Sequence, residues 1–299
     1  MPRTTEQISR RRMLQLAASG VAASGLATGS AAAGTGVARE FDPRSPADNL
    51  YGLIKMMGSL DPEQLTWLWG VGQVTAVVAG KAATPLFDVQ VCRLSYYRPL
   101  PHDVYEHRFW SCLFFVAAEH GSLLEQWRNP VTGATVQPGH YRGGPLDVLY
   151  RPDGIRTPAK LDTNPLSDGG LDPFVMPWQR HGDEVWCTFD SNFGLENYDT
   201  YVFRGSWLAL VDPARSDVPT SYAYYGASRY YRWLGMTDQP GYLRWRVSGA
   251  KATRLDDVPT SIIELSEQRF PGLMRNPRSF TERAVIYRPE GTEPKSDAE

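Results

Sequence analysis

Glu119–Arg142, EHGSLLEQWRNPVTGATVQPGHYR, reads as a β-hairpin with polar groups at both ends. Leu123–Arg128 and Ala134–Gln137 are short runs of strand character, with Asn129-Pro130-Val131-Thr132-Gly133 between them. Pro130 presets φ at the second turn position, and Gly133 supplies a left-handed residue that closes the loop. A hairpin joins antiparallel neighbours, and its turn sets their register. The expectation is a larger antiparallel sheet organised on this hairpin.

The same period-two pattern recurs on both sides of it. Upstream it covers Thr66–Val71, Gln73–Val78, Leu86–Tyr97 and Tyr105–Val116. Downstream it covers Glu184–Asp190, Tyr198–Leu210, part of Thr220–Arg232, Tyr242–Val247 and Arg283–Arg288, with Gly249-Ala250-Lys251 as a turn or bulge. Between the two groups, Gly143–Met176 carries five prolines and reads as a loop-rich segment. Two helices stand out. Ser45 caps the first, Pro46 suits its opening position, and Leu50, Leu53, Ile54 and Met57 form an apolar stripe. The second starts at Asp257, has Ile262, Ile263 and Leu265 as its core, and ends near Pro271-Gly272. Many short strands with few helices predict a mainly β domain over residues 39–288. Its expected form is an antiparallel bent sheet or barrel, lipocalin-like in outline, with two peripheral helices. A β-sandwich is the alternative.

The ends have a different character. Ser9-Arg10-Arg11-Arg12-Met13-Leu14-Gln15 fits the twin-arginine export pattern, and an Ala/Gly/Ser run follows to small-residue cleavage sites after Ala33 or Ala38. Residues 1–38 are therefore expected to engage the twin-arginine export machinery and to place the mature chain in the periplasm or outside the cell. The polar stretch 289–299 is expected to be a disordered tail. No later stretch approaches 18 apolar residues, so no membrane span is expected after cleavage. The formal net charge is −2, and becomes −5 once residues 1–38, with four Arg and one Glu, are removed. Such a balance offers no basic excess to neutralise phosphates, which argues against nucleic acid as a partner. Cys92, Cys112 and Cys187 are an odd set, so at least one thiol is free.

No motif of known chemistry is present. Nucleotide loops, the nucleophile elbow and the HExxH zinc signature are all absent from the sequence. Candidates for a site come instead from the hairpin ends and from alternation. His107 shares a strand face with Tyr105 and Phe109, while Glu119-His120 and His140-Tyr141-Arg142 meet at the open end of the hairpin. His107, Glu119, His140 and Arg142 are the candidate acid–base set, because such chemistry needs a carboxylate or imidazole beside an Arg or Tyr. Glu106, Tyr141 and the aromatic run 222–233 are further groups on offer to that chemistry, and His120, Tyr141, Trp67 and Trp69 are the candidate ligand contacts. A metal held by His107, His120 and His140 with Glu106 or Glu119 is chemically available, but nothing in the spacing demands it, and no metal is assigned. The twin-arginine route carries folded proteins, many of them with a bound cofactor, but the sequence names none.

Four segments together resemble the uncharacterised family called domain of unknown function 1838. They are Trp67-Leu68-Trp69-Gly70, Trp127–Gly133, His140-Tyr141-Arg142, and the late block running from Trp233 through Pro240–Lys251 to Pro259. The resemblance spans about residues 45–280 and implies one globular domain, often in exported bacterial proteins. It implies no activity and no catalytic residues. Two functions of different class follow as expectations. One is an exported enzyme acting on a small molecule by acid–base chemistry in a β-barrel pocket. The other is a non-catalytic binding protein for a small hydrophobic or aromatic ligand.

Overall fold

Alternating apolar and polar residues become long strands. The computed structural model describes residues 38–156, 174–192, 198–281 and 284–287. In chain order the strands are β1 (Thr66–Val78), β2 (Thr84–Leu100), β3 (Val104–Val116), β4 (Trp127–Arg128), β5 (Thr135–Val136), β6 (His140–Arg151), β7 (Gly154–Arg156), β8 (Trp178–His181), β9 (Glu184–Asn192), β10 (Tyr198–Ser206), β11 (Ser221–Ser228), β12 (Gly241–Ala252) and β13 (Ala284–Tyr287). One antiparallel sheet runs in the order β13-β6-β3-β2-β1-β12-β11-β10-β9-β8, with β7 also beside β6. The fold is thus mainly β, as expected. The hydrogen-bonded path ends at β8 on one side and does not close into a barrel. The sheet bends instead, far enough that Arg93 on β2 reaches the Tyr201 hydroxyl on β10 at 3.5 Å.

Three apolar clusters hold the bend. Helix α1 (Pro46–Met57) lies at one end of the concave face. Its Leu50, Leu53, Ile54 and Met56 are fully buried against Tyr97, Tyr150, Phe174, Cys187 and Phe203. Each such side chain contributes on the order of 1.5–3 kcal/mol by leaving water. At the other end, Tyr230, Leu234 and Met236 pack with Phe87, Phe115, Leu243 and Trp245. On the convex face, helix α3 (Thr260–Arg269) and the segment after it cover Trp67, Cys92, Leu94, Trp110 and Phe114. Ser45 caps α1 by accepting from the Asp48 N–H at 3.3 Å, and Pro46 is its first residue.

Polar groups tie α1 down as firmly as apolar ones. The Asn49 amide is fully used. Its Nδ2 donates to Pro43 and Ser45 carbonyls, and its Oδ1 accepts from Met176 N and Trp178 Nε1. Two of the five lysines are buried as caps. Lys55 Nζ donates to the carbonyls of Ala209, Leu210 and Asp212, each at 2.9 Å, where the short helix α2 (Trp207–Val211) ends. Lys251 Nζ donates to the Lys55 and Gly58 carbonyls at the end of α1 and pairs with Asp217 at 3.3 Å.

Several expectations are corrected. The hairpin does not organise the main sheet. β4 and β5 form a two-stranded sheet of their own, laid over one end of the domain. Trp127 packs edge-on to Phe87 with ring centroids 5.3 Å apart, and buried Asn129 donates to the Leu234 carbonyl at 2.9 Å. Residues 143–156, expected as loop, are mostly strand in β6 and β7, because alternate residues such as Val148 and Tyr150 face the core. The strand expected over Tyr198–Leu210 turns helical at Trp207. Ser206 caps that turn by accepting from Ala209 N. Thr66–Val78 is one strand rather than two, and β12 continues through Gly249. Gly72 and Gly249 read as breaks, but the glycines of these two strands serve as space. A Cβ on Gly249 would sit 1.8 Å from the Trp69 carbonyl oxygen, and one on Gly70 would sit 2.3 Å from the Tyr222 hydroxyl. The three cysteines are buried and unpaired. The expected leader, the tail and the stretch 157–173 lie outside the described residues. No described helix is long and apolar enough to cross a membrane.

Candidate functional site

The bend encloses a cavity of about 410 Å³ against the concave face of the sheet. Its walls come from strands distant in sequence: β1, β2, β3 and β6 on one side, β10, β11 and β12 on the other. Five tyrosines (141, 201, 222, 224 and 231) and Trp245 are its aromatic lining. Side-chain period two explains their arrival. Tyr222 and Tyr224 are two apart on β11, and Asp199 and Tyr201 are two apart on β10, so each pair shares the concave face. Glycines leave room for the hydroxyl ends. Tyr222 sits over Gly70, and Tyr224 sits over Gly226, where a Cβ would lie 2.3 Å from its hydroxyl.

Among the described residues lining the cavity, Arg93 is the one cation and Asp199 the one carboxylate. The Tyr224 hydroxyl donates to Asp199 Oδ1 at 2.6 Å. Oδ2 has no protein partner among the described residues. Burial raises the Asp199 pKa above the usual carboxylate value, opposed by the Tyr224 hydrogen bond and by the charge of Arg93. Burial also raises the pKa of Tyr201, Tyr222, Tyr224 and Tyr231, so these phenols are neutral donors at ordinary pH. Trp245 Nε1 donates to Ser228 Oγ at 2.9 Å, which fixes the indole in the wall.

The residues singled out from sequence do not assemble in one place. His107 is buried beside the cavity, stacked on Tyr97 with centroids 4.1 Å apart and on Phe109 at 4.7 Å, with Nε2 3.0 Å from Ser95 Oγ. Burial, and next the charge of Arg93, holds its pKa well below the ordinary value, so it is a neutral imidazole. Glu119 and His120 are exposed in a turn, 3.6 Å from each other. His140 is buried and structural in its contacts. The Phe115 N–H donates to its Nδ1 at 3.3 Å, and its Nε2 lies 3.1 Å from the Leu124 carbonyl. Arg142 is buried over the Phe280 ring, 5.0 Å from its centroid. Tyr141 lies between these two in sequence and therefore points the other way, into the cavity. Trp67 packs on the convex face against the C-terminal segment, where its Nε1 donates to the Met274 carbonyl at 3.1 Å, and Trp69 packs beside the same cluster. No group of three His, Cys, Asp or Glu side chains is gathered as for a metal among the described residues.

Arg93, Asp199 and Tyr201 were missed. One signal for Arg93 was present: it interrupts a face otherwise made by Val89, Val91, Ser95 and Tyr97. Asp199 carried no comparable signal, because only the bend of the sheet brings it opposite β2.

The family model described as protein of unknown function (DUF1838) matches residues 63–286. The chain belongs to that family. The matched span of this DUF1838 chain includes β1 to β12 and so every residue lining the cavity. No curated protein and no solved structure matches the chain.

Proposed function

We propose that the chain is exported by the twin-arginine route through residues 1–38, and that the folded domain then binds a small aromatic or hydrophobic molecule in the concave cavity. The cavity itself carries this reading. Its volume of about 410 Å³ falls within the usual range for small-molecule sites, and its walls are aromatic with a few polar groups converging on the interior. A thermal-shift screen of small aromatic acids, alcohols and esters tests it. Binders raise Tm in proportion to the logarithm of their concentration above Kd. A screen in which no such compound moves Tm counts against a ligand site. For export, replacing Arg10 and Arg11 together by Lys should hold the precursor in the cytoplasm, as cell fractionation would read.

One observation favours a second reading, acid–base catalysis in the same cavity. Among the described residues one oxygen of Asp199 has no protein partner, its pKa is raised, and Tyr224 orients it. In that reading Asp199 accepts a proton from the bound molecule and returns it, with the tyrosine hydroxyls donating to an adjacent oxygen. Loss of turnover in Asp199→Asn with unchanged ligand binding would support it.

A further inference from the structure

We infer that the cavity selects molecules bearing an anionic group, a planar carboxylate fitting best, with Arg93 as the anchor. This rests on the reading of the cavity as a ligand site and names the class of ligand.

The position of Arg93 is the first ground. Residue alternation on β2 places it on the concave face, within a wall of aromatic rings, as the one cation there among the described residues. Its hold is the second. The guanidinium carbon lies 5.2 Å from the Phe109 ring centroid and 5.8 Å from that of Tyr201. Aromatic rings that flank a guanidinium fix its plane and leave its N–H edge as the donor surface. The third ground is that no described residue supplies its counter-ion. Its neighbours on the same sheet, Arg98 and Arg108, are paired, with Glu106 at 2.8 Å and Asp147 at 2.7 Å. Among the described residues, the hydrogen-bond partner of Arg93 is the Tyr201 hydroxyl at a long 3.5 Å, and no carboxylate lies within ion-pair distance.

A cation withdrawn from bulk water without a counter-ion is costly, and a folding role alone gives no reason to keep it. Asp199 does not fill that role. It is turned onto Tyr224 and sits two residues from Tyr201 on β10, roughly 7 Å away along the strand. Its charge also repels an anion from its own end of the cavity. A ligand carboxylate is thereby directed to the Arg93 end, where it can take two parallel N–H donors and the Tyr201 hydroxyl. The ligand body then lies against Tyr222, Tyr224 and Trp245.

Titration of the purified protein with 2-naphthoate and with its methyl ester at pH 7.5, followed by intrinsic tryptophan fluorescence or calorimetry, tests this. The two probes share shape and differ in charge. Naphthoate is expected to bind the wild type on the order of tenfold to a hundredfold tighter than the ester, the range for charge-assisted hydrogen bonds. Arg93→Met should abolish that preference while leaving the ester within about threefold and Tm at or above that of the wild type. Two results overturn the inference and leave the cavity reading standing: an ester that binds the wild type as tightly as naphthoate, or naphthoate affinity unchanged in Arg93→Met. Binding of neither probe by the wild type contradicts the cavity reading itself, and this inference with it. The comparison of probes on the wild type holds whether or not the variant folds.

Discussion

Asp199 shows how much a single side chain in the cavity depends on its surroundings. It is a carboxylate among tyrosines, oriented by one hydroxyl and faced by one guanidinium. Its raised pKa means that the native state keeps the proton to a higher pH than the unfolded chain does. Stability therefore falls as pH rises from the unfolded value near 3.8 through the native pKa, and the ionised group is a cost at pH 7. Asp199→Asn keeps an acceptor for Tyr224 and removes that charge. Its Tm should exceed that of the wild type at pH 7, and the gain should shrink as the pH falls toward 4. A lower Tm at pH 7 would mean that the Arg93 charge compensates Asp199 fully. None of this was visible in sequence. Histidines drew attention there by residue type, yet His140 and Arg142 face away from Tyr141 by the plain geometry of a strand. Of the side chains named from sequence, Tyr141 lines the cavity, as do Tyr222, Tyr224 and Tyr231 of the aromatic run, while the candidate acid–base set does not. Arg93 and Asp199 converge only because a bend brings β2 and β10 together.

At the scale of elements, helix α1 was legible because its signals are local: a capping serine, a proline at the first position and a helical apolar stripe. Strand ends were less so. Gly72 and Gly249 read as interruptions, since glycine marks turns when only neighbours are considered. Their reason lies in other strands, in the Arg246 carbonyl beside Gly72 and the Trp69 carbonyl beside Gly249. The hairpin at Asn129–Gly133 was legible in conformation but not in rank, because turn chemistry does not say which sheet a hairpin joins. Nor does sequence disclose that Lys55 is a buried pin. Burial pulls its pKa down to about 8, which leaves it charged at pH 7, and three carbonyls at the end of α2 accept from it. Lys55→Met strands those carbonyls in the interior. It should destabilise the domain by about 3 kcal/mol or more, measured by urea unfolding. A loss below about 1 kcal/mol would mean that water replaces the ammonium.

For the whole molecule, two buried imidazoles set the acid limit. Burial lowers the pKa of both His107 and His140. Below the unfolded value of about 6.5 the unfolded chain takes up protons that the native state refuses. Their contribution is intact above pH 6.5 and is lost progressively as the pH falls from there. Each group can add a slope of up to about 1.4 kcal/mol per pH unit. Chemical unfolding between pH 7 and 5 should show that loss, and His107→Gln should reduce its steepness; an identical slope in the variant would place the acid sensitivity elsewhere. The fold class was readable because alternation is repeated along most of the chain. The cavity was not, because it is a property of the bend and of the two ends that α1 and the Tyr230–Met236 segment cover.

Whether the concave cavity is the place where a small molecule binds is tested most directly by filling it. Val91 lies in the lining on β2 and takes part in none of the polar contacts described above. Val91→Trp occupies the space while leaving Arg93, Asp199 and the tyrosines in place. Titrated with 2-naphthoate beside the wild type, and shown by circular dichroism to retain its β signal, Val91→Trp should lose at least tenfold in affinity. Affinity equal to that of the wild type in a folded Val91→Trp protein would contradict a ligand site in this cavity.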